Sequence, residues 1–134
     1  MKHFCKNIVF HCIDFRLIKE TDEFIQSNYG KCDIISIAGS SKNIAEDNKT
    51  IREYLLNQIR MSHDIHHSKK VILIHHNDCG AYKKSYKFKD ENEEEQKQIK
   101  DMLKVEKIIN KVFPDMKVEK IWAKIGNNIT FEKI

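Results

Sequence analysis

The chain is short of residues that break or stiffen a backbone, with one proline and four glycines in 134 positions. That scarcity excludes collagen-like and linker-like classes. No apolar run approaches the ~20 residues that a membrane helix needs, and the N-terminus lacks the apolar stretch of a signal peptide. A soluble, cytoplasmic protein with no membrane partner is expected. Neither sign of charge prevails, since 24 Lys and Arg face 20 Asp and Glu for a formal net charge of +4. The charges are interspersed, without the basic stripe and interleaved aromatics of a nucleic-acid reader, so no nucleic-acid partner is expected.

Hydrophobic residues make up 40% of the chain and charged residues 33%, which is globular composition, and the length suits a single domain over 1–134. Cys5, Cys12, Cys32 and Cys79 are the cysteines. In a reducing compartment such residues serve burial, metal binding or catalysis more often than disulfides.

Four segments read as strands: 7–13, 33–38, 71–75 and 118–125, with a fifth around 129–131. Between them fall helical patterns at 19–29, closed by Gly30, and at 43–60, where Ile44, Ile51, Leu55 and Ile59 form one stripe. A further helix carries Ile99, Met102, Ile109, Val112 and Phe113 on its buried side and stops at Pro114. The charged stretch 83–98 reads as a solvated loop or helix face. Apolar strands alternating with helices predict an α/β fold, a mostly parallel sheet of four or five strands flanked by helices on both faces. In such a fold, chemistry gathers at the carboxyl ends of the strands.

The unusual residues lie there. After the first strand comes Cys12-Ile13-Asp14-Phe15-Arg16. Alternation puts thiol, carboxylate and guanidinium on one side and turns Ile13 and Phe15 inward as packing residues. After the third strand comes His75-His76-Asn77-Asp78-Cys79-Gly80, where a His and a Cys three apart can reach one ion across a turn. Thiolate and imidazole are preferred zinc ligands, and three protein ligands with one open position mark a catalytic site. Cys12, His76 and Cys79 supply three; Asp14 either closes the fourth position or leaves it to water.

This pattern resembles the β-class carbonic anhydrases. Their C-x-D-x-R, Ala-Gly and H-x-x-C-G motifs match Cys12 to Arg16, Ala38-Gly39, and His76 to Gly80, in that order. The resemblance implies that Cys12, His76 and Cys79 bind Zn2+, and that Asp14 and Arg16 form a dyad controlling the fourth metal position. Asp14 would be a ligand in the closed state only. It further implies reversible hydration of carbon dioxide to bicarbonate by a zinc-bound hydroxide, in a homodimer with its sites at the subunit interface. The family's N-terminal helical arm is expected to have no counterpart, because the first strand is read as starting near residue 7. His75 stands where the family commonly has glycine. A non-catalytic zinc-binding or sensing module on the same fold is the alternative, as is a hydrolase of a related electrophile such as carbon disulfide or carbonyl sulfide.

The remaining candidates are read more plainly. Cys5 and Cys32 are expected to be buried structural thiols. His63, His66 and His67 read as a solvated helix end. His11 and His75 flank proposed ligands, as proton shuttles or as packing side chains.

Overall fold

Segments that are apolar at every position lie at the centre of the sheet, where both faces are covered. The computed structural model, which describes residues 3–134, sets β1 (Asn7–His11) beside β3 (Lys70–His76). β2 (Asp33–Ser36) flanks β1, and β4 (Lys117–Ile125) lies beyond β3. These pairs are all parallel. β5 (Ile129–Lys133) runs antiparallel to β4, giving the order β2-β1-β3-β4-β5. This is the mostly parallel sheet that the sequence predicts. Phe10, level with Ile35 and Leu73, and Val9, level with Ile34 and Ile72, face opposite sides.

Helices cover both sides. α1 (Ile18–Tyr29) buries Ile25 with Leu17, Val9, Ile72, Ile74 and Ile121, and ends on Gly30 at φ 73°. On the other face lie α2 (Lys42–Ala45), α3 (Lys49–His66) and, after the short α4 (Gly80–Ser85), the long α5 (Glu91–Val112). Leu55, Ile59, Met102, Val105 and Ile109 join Ile8, Phe10, Val71 and Leu73 in that core. No described helix is long and apolar enough to cross a membrane.

The helix predicted over 43–60 is in fact two. Asn48 accepts the Ile51 amide at 3.1 Å and starts α3 afresh. Arg52 then ties the break together by donating to the Ile44 and Glu46 carbonyls at 2.7 and 2.6 Å. The 83–98 stretch is mostly exposed, as expected, but Glu94 and Gln98 within it are buried. Asp90 accepts the Glu93 amide at 2.9 Å and caps α5, whose first turns bury Glu94, Gln98 and Asp101. Val112, expected on the buried side, is partly exposed, and Val105 packs in the core.

Candidate metal centre

Because β1 and β3 are parallel neighbours, the residues after each emerge at one end of the sheet. Cys12 follows β1, His76 is the last residue of β3, and Cys79 caps α4 three positions on. The turn between the last two is tight, with Asp78 at φ 54°. Asn77 fastens it to the end of β4, accepting the Ile125 amide at 2.6 Å and donating to its carbonyl at 3.1 Å. The outcome is that the ligand atoms of Cys12, His76 and Cys79 lie within 4.8 Å of one another, all buried.

His76 Nδ1 sits 2.7 Å from the Asn77 carbonyl. A carbonyl only accepts, so Nδ1 carries the proton and Nε2 the lone pair. That Nε2 is buried without a hydrogen-bond partner among the described residues, which folded proteins rarely tolerate. A metal ion shared with the two sulfurs would satisfy it, and two thiolates with one imidazole are a donor set zinc prefers. The residues present therefore fit a zinc ion. The thiols already act as a pair. The neighbouring Cys79 thiol holds Cys12 well below the usual thiol range despite burial, with help from the Gly39 amide 3.5 Å away. The neighbouring Cys12 sulfur, together with burial, pushes Cys79 up.

Asp14 stands beside this cluster, its Oδ2 3.9 Å from His76 Nε2. Both its oxygens belong to Arg16, whose Nε donates to Oδ1 at 3.1 Å and whose Nη2 donates to Oδ2 at 2.7 Å. The Arg16 amide adds a third bond at 3.0 Å. Arg16 holds the Asp14 carboxyl below the ordinary carboxylate range, and the two aspartates it binds raise Arg16 in turn. The second is Asp78, which accepts from Arg16 through Oδ2 and through its carbonyl, each at 2.9 Å, and also pairs with Lys83. Asp78 was assigned no role in the sequence.

Ile13 and Phe15 do not turn inward. They are 57% and 87% exposed, because the chain leaves the strand after His11 and the alternation that would bury them ends there. With Ala38, Gly80 and Ala81 they wall a cavity of about 590 Å³ over Cys12, Asp14 and Arg16. His75 is buried, and burial pushes its pKa down to about 4. Both its nitrogens are engaged inside the protein, at Ser41 Oγ (2.7 Å) and Gln98 Oε1 (3.0 Å), an arrangement that suits a packing side chain. His11 Nδ1 lies 2.9 Å from the Cys12 carbonyl.

Cys5 and Cys32 lie ahead of β1 and β2 at the opposite end of the sheet and are half-buried, more open than expected. α3 ends at His66, as the reading of a helix end predicts, and His67 follows at φ 62°, off the helical face of His63. His66 bonds Asp33 at 2.7 Å.

Besides Asp78, two site residues escaped the sequence altogether. Glu94 and Gln98 reach from α5 to the backbone of the His76–Cys79 turn. The signal that could have found them is Asp90-Glu91-Asn92-Glu93, a helix start placed just ahead of them.

Comparison with known proteins agrees with this geometry. Residues 2–134 match the family model described as "Putative carbonic anhydrase". A Rickettsia bellii protein is 31% identical over 124 residues, covering 83% of this chain and 71% of its own. Among solved structures, one from a study of two tetrameric beta-carbonic anhydrases of Sordaria macrospora superposes with a TM-score of 0.68 at 10% identity, over 98% of this chain and 81% of its own. A carbon disulfide hydrolase in its apo form gives a TM-score of 0.57 at 15% identity, over 92% and 76%. At such identities the structures speak for the fold alone, whereas the match to the family model runs through every described residue: the chain belongs to this carbonic anhydrase family.

Proposed function

We propose that this protein is a zinc-dependent lyase that reversibly hydrates carbon dioxide to bicarbonate, with Cys12, His76 and Cys79 holding the ion and Asp14 and Arg16 controlling its fourth position. The observation that carries this reading is the lone, buried Nε2 of His76, set between two thiols beside a carboxylate that Arg16 holds at both oxygens. Zinc bound there supplies a Lewis acid that lowers the pKa of a water molecule from ~15.7 to about 7.

The protein's own residues do the rest. Two thiolates cancel the charge of a divalent ion, so Asp14 entering the fourth position would add a negative charge and weaken the Lewis acid. The two-pronged grip of Arg16 opposes that move. Asp14 Oδ2, facing the cluster, accepts a hydrogen bond from the attacking water and orients it. Ile13, Phe15, Ala38 and Ala81 offer an apolar wall to a small uncharged substrate. A homodimer accounts for the exposure of Ile13 and Phe15 at the rim, since a second copy would cover them.

The apolar wall also favours a second reading, in which the substrate is carbon disulfide or carbonyl sulfide. Rates measured on each molecule decide between them. Asp14→Asn tests the enzyme against a non-catalytic zinc-binding module. The enzyme loses rate and keeps its zinc, whereas a binding module holds zinc and shows no hydration in either form.

A further inference from the structure

Glu94 and Gln98 lie one turn apart on α5 and are 2% and 1% exposed. Glu94 Oε1 accepts the Asp78 amide at 3.2 Å, and Oε2 accepts the Cys79 amide at 2.9 Å and Gln98 Nε2 at 2.9 Å. All three partners are N–H donors from neutral amides. Both carboxylate oxygens of Glu94 thus act as acceptors toward this turn and Gln98.

Gln98 is fixed just as firmly. Its amide nitrogen donates to the His76 carbonyl at 2.8 Å and to Glu94. Both hydrogens are then used, and its oxygen must face His75 Nδ1 at 3.0 Å. Nδ1 therefore holds the His75 proton, which leaves Nε2 to accept from Ser41 Oγ at 2.7 Å. Ser41 belongs to the loop whose Gly39 amide faces Cys12 Sγ at 3.5 Å. One buried network thus touches the carbonyl of His76, the amide of Cys79 and the loop behind Cys12.

We infer that Glu94 and Gln98 are positioning residues of the metal centre, holding the His76–Cys79 turn and the His75 ring from behind so that the ligand atoms stand ready before the ion arrives. This rests on reading Cys12, His76 and Cys79 as metal ligands. Partners outside the ligand set that orient it typically contribute 10- to 100-fold in metal affinity. Glu94→Gln puts an NH2 group where an oxygen now accepts, so one of the two turn amides faces a donor. Gln98→Met keeps the volume and both Glu94–turn contacts while removing the bonds to His76 and His75. Glu93→Gln takes the same charge from an exposed position on the same helix and is the control.

The experiment is chelator competition for zinc on the full chain, with the absorption spectrum of the cobalt(II)-substituted protein recorded alongside. Glu94→Gln and Gln98→Met should bind zinc about 10- to 100-fold more weakly and show altered cobalt bands, while Glu93→Gln matches the wild type. A purely structural role would lower the melting temperature of the metal-free protein without moving the cobalt bands. A folded Glu94→Gln with wild-type affinity and spectrum overturns the inference, as does an equal loss in Glu93→Gln. If Glu94→Gln does not fold, Gln98→Met decides by the same criterion. Wild-type protein that binds no zinc sinks the functional reading and this inference together; wild-type protein that binds while both variants bind equally well sinks this inference alone.

Discussion

Arg16 grips Asp14 at both carboxylate oxygens, at 3.1 and 2.7 Å, and reaches Asp78 at 2.9 Å with the edge of the guanidinium left over. One planar side chain thus joins the segment after β1 to the turn after β3. Arg16→Lys cannot reproduce that fork, because an ammonium is a point charge with no second prong. The variant should retain zinc while its hydration rate falls about 10- to 100-fold, as Asp14 is freed to swing toward the ion. Stopped-flow rates beside metal content check this, and an unchanged rate would remove the grip from the mechanism.

Gly39 stands at φ 82°, and a Cβ there would meet Lys42 Cβ and Cδ at 3.0 Å and Ala81 Cβ at 3.3 Å. Gly39→Ala should cost the metal-free protein about 1–3 kcal/mol from backbone strain alone. Urea denaturation reads the loss. The variant should also release zinc more readily, because the Gly39 amide faces Cys12.

His63 bonds Asp64 and Asp115 through its two ring nitrogens, each at 2.8 Å, and Lys69 shares Asp115 at 3.0 Å. The carboxylates, Asp64 first, raise the His63 pKa. A folded-state pKa above the unfolded one contributes stability in full below about 6.5, and that stability is lost as pH rises through the folded value. His63→Gln should therefore lower the melting temperature at about pH 5.5 and much less at about pH 9. Equal losses at both would contradict a charged contact.

Phe15, 87% exposed, buries almost nothing within its own chain. Phe15→Ser should leave the stability of the monomer within about 0.5 kcal/mol. In sedimentation, the same variant should shift any dimer toward monomer. A large loss of monomer stability would restore the inward packing that the sequence suggested.

Zinc should shield Cys12 and Cys79 from alkylation and leave Cys5 and Cys32, which are half-buried at the far end of the sheet, open to it. In metal-free protein Cys12 should react ahead of Cys79, because Cys12 lines the cavity and faces the Gly39 amide. Mass spectrometry of the labelled peptides checks both orders.

The sheet was legible because β1 and β3 carry unbroken apolar runs, and the three ligands because Cys-x-Asp-x-Arg and His-x-x-Cys each follow such a run. Ile13 and Phe15 misled because alternation holds only while the chain remains a strand. Glu94, Gln98 and Asp101 were hidden for another reason. They share one helical face with Met102, Val105 and Ile109, so the period of α5 is intact, but its first buried positions are polar. A search for apolar stripes begins at Ile99 and misses the part of the helix that holds the site. The break between α2 and α3 escaped likewise, since Ile44 and Ile51 keep a seven-residue spacing across it.

We propose that Cys12, His76 and Cys79 bind a zinc ion that hydrates carbon dioxide. The most direct test is stopped-flow hydration by zinc-reconstituted protein with Cys79→Ser as the blank. We expect a rate well above the blank that rises as pH passes through about 7 to 8.5. One bound zinc per chain with a rate no different from the blank would contradict it.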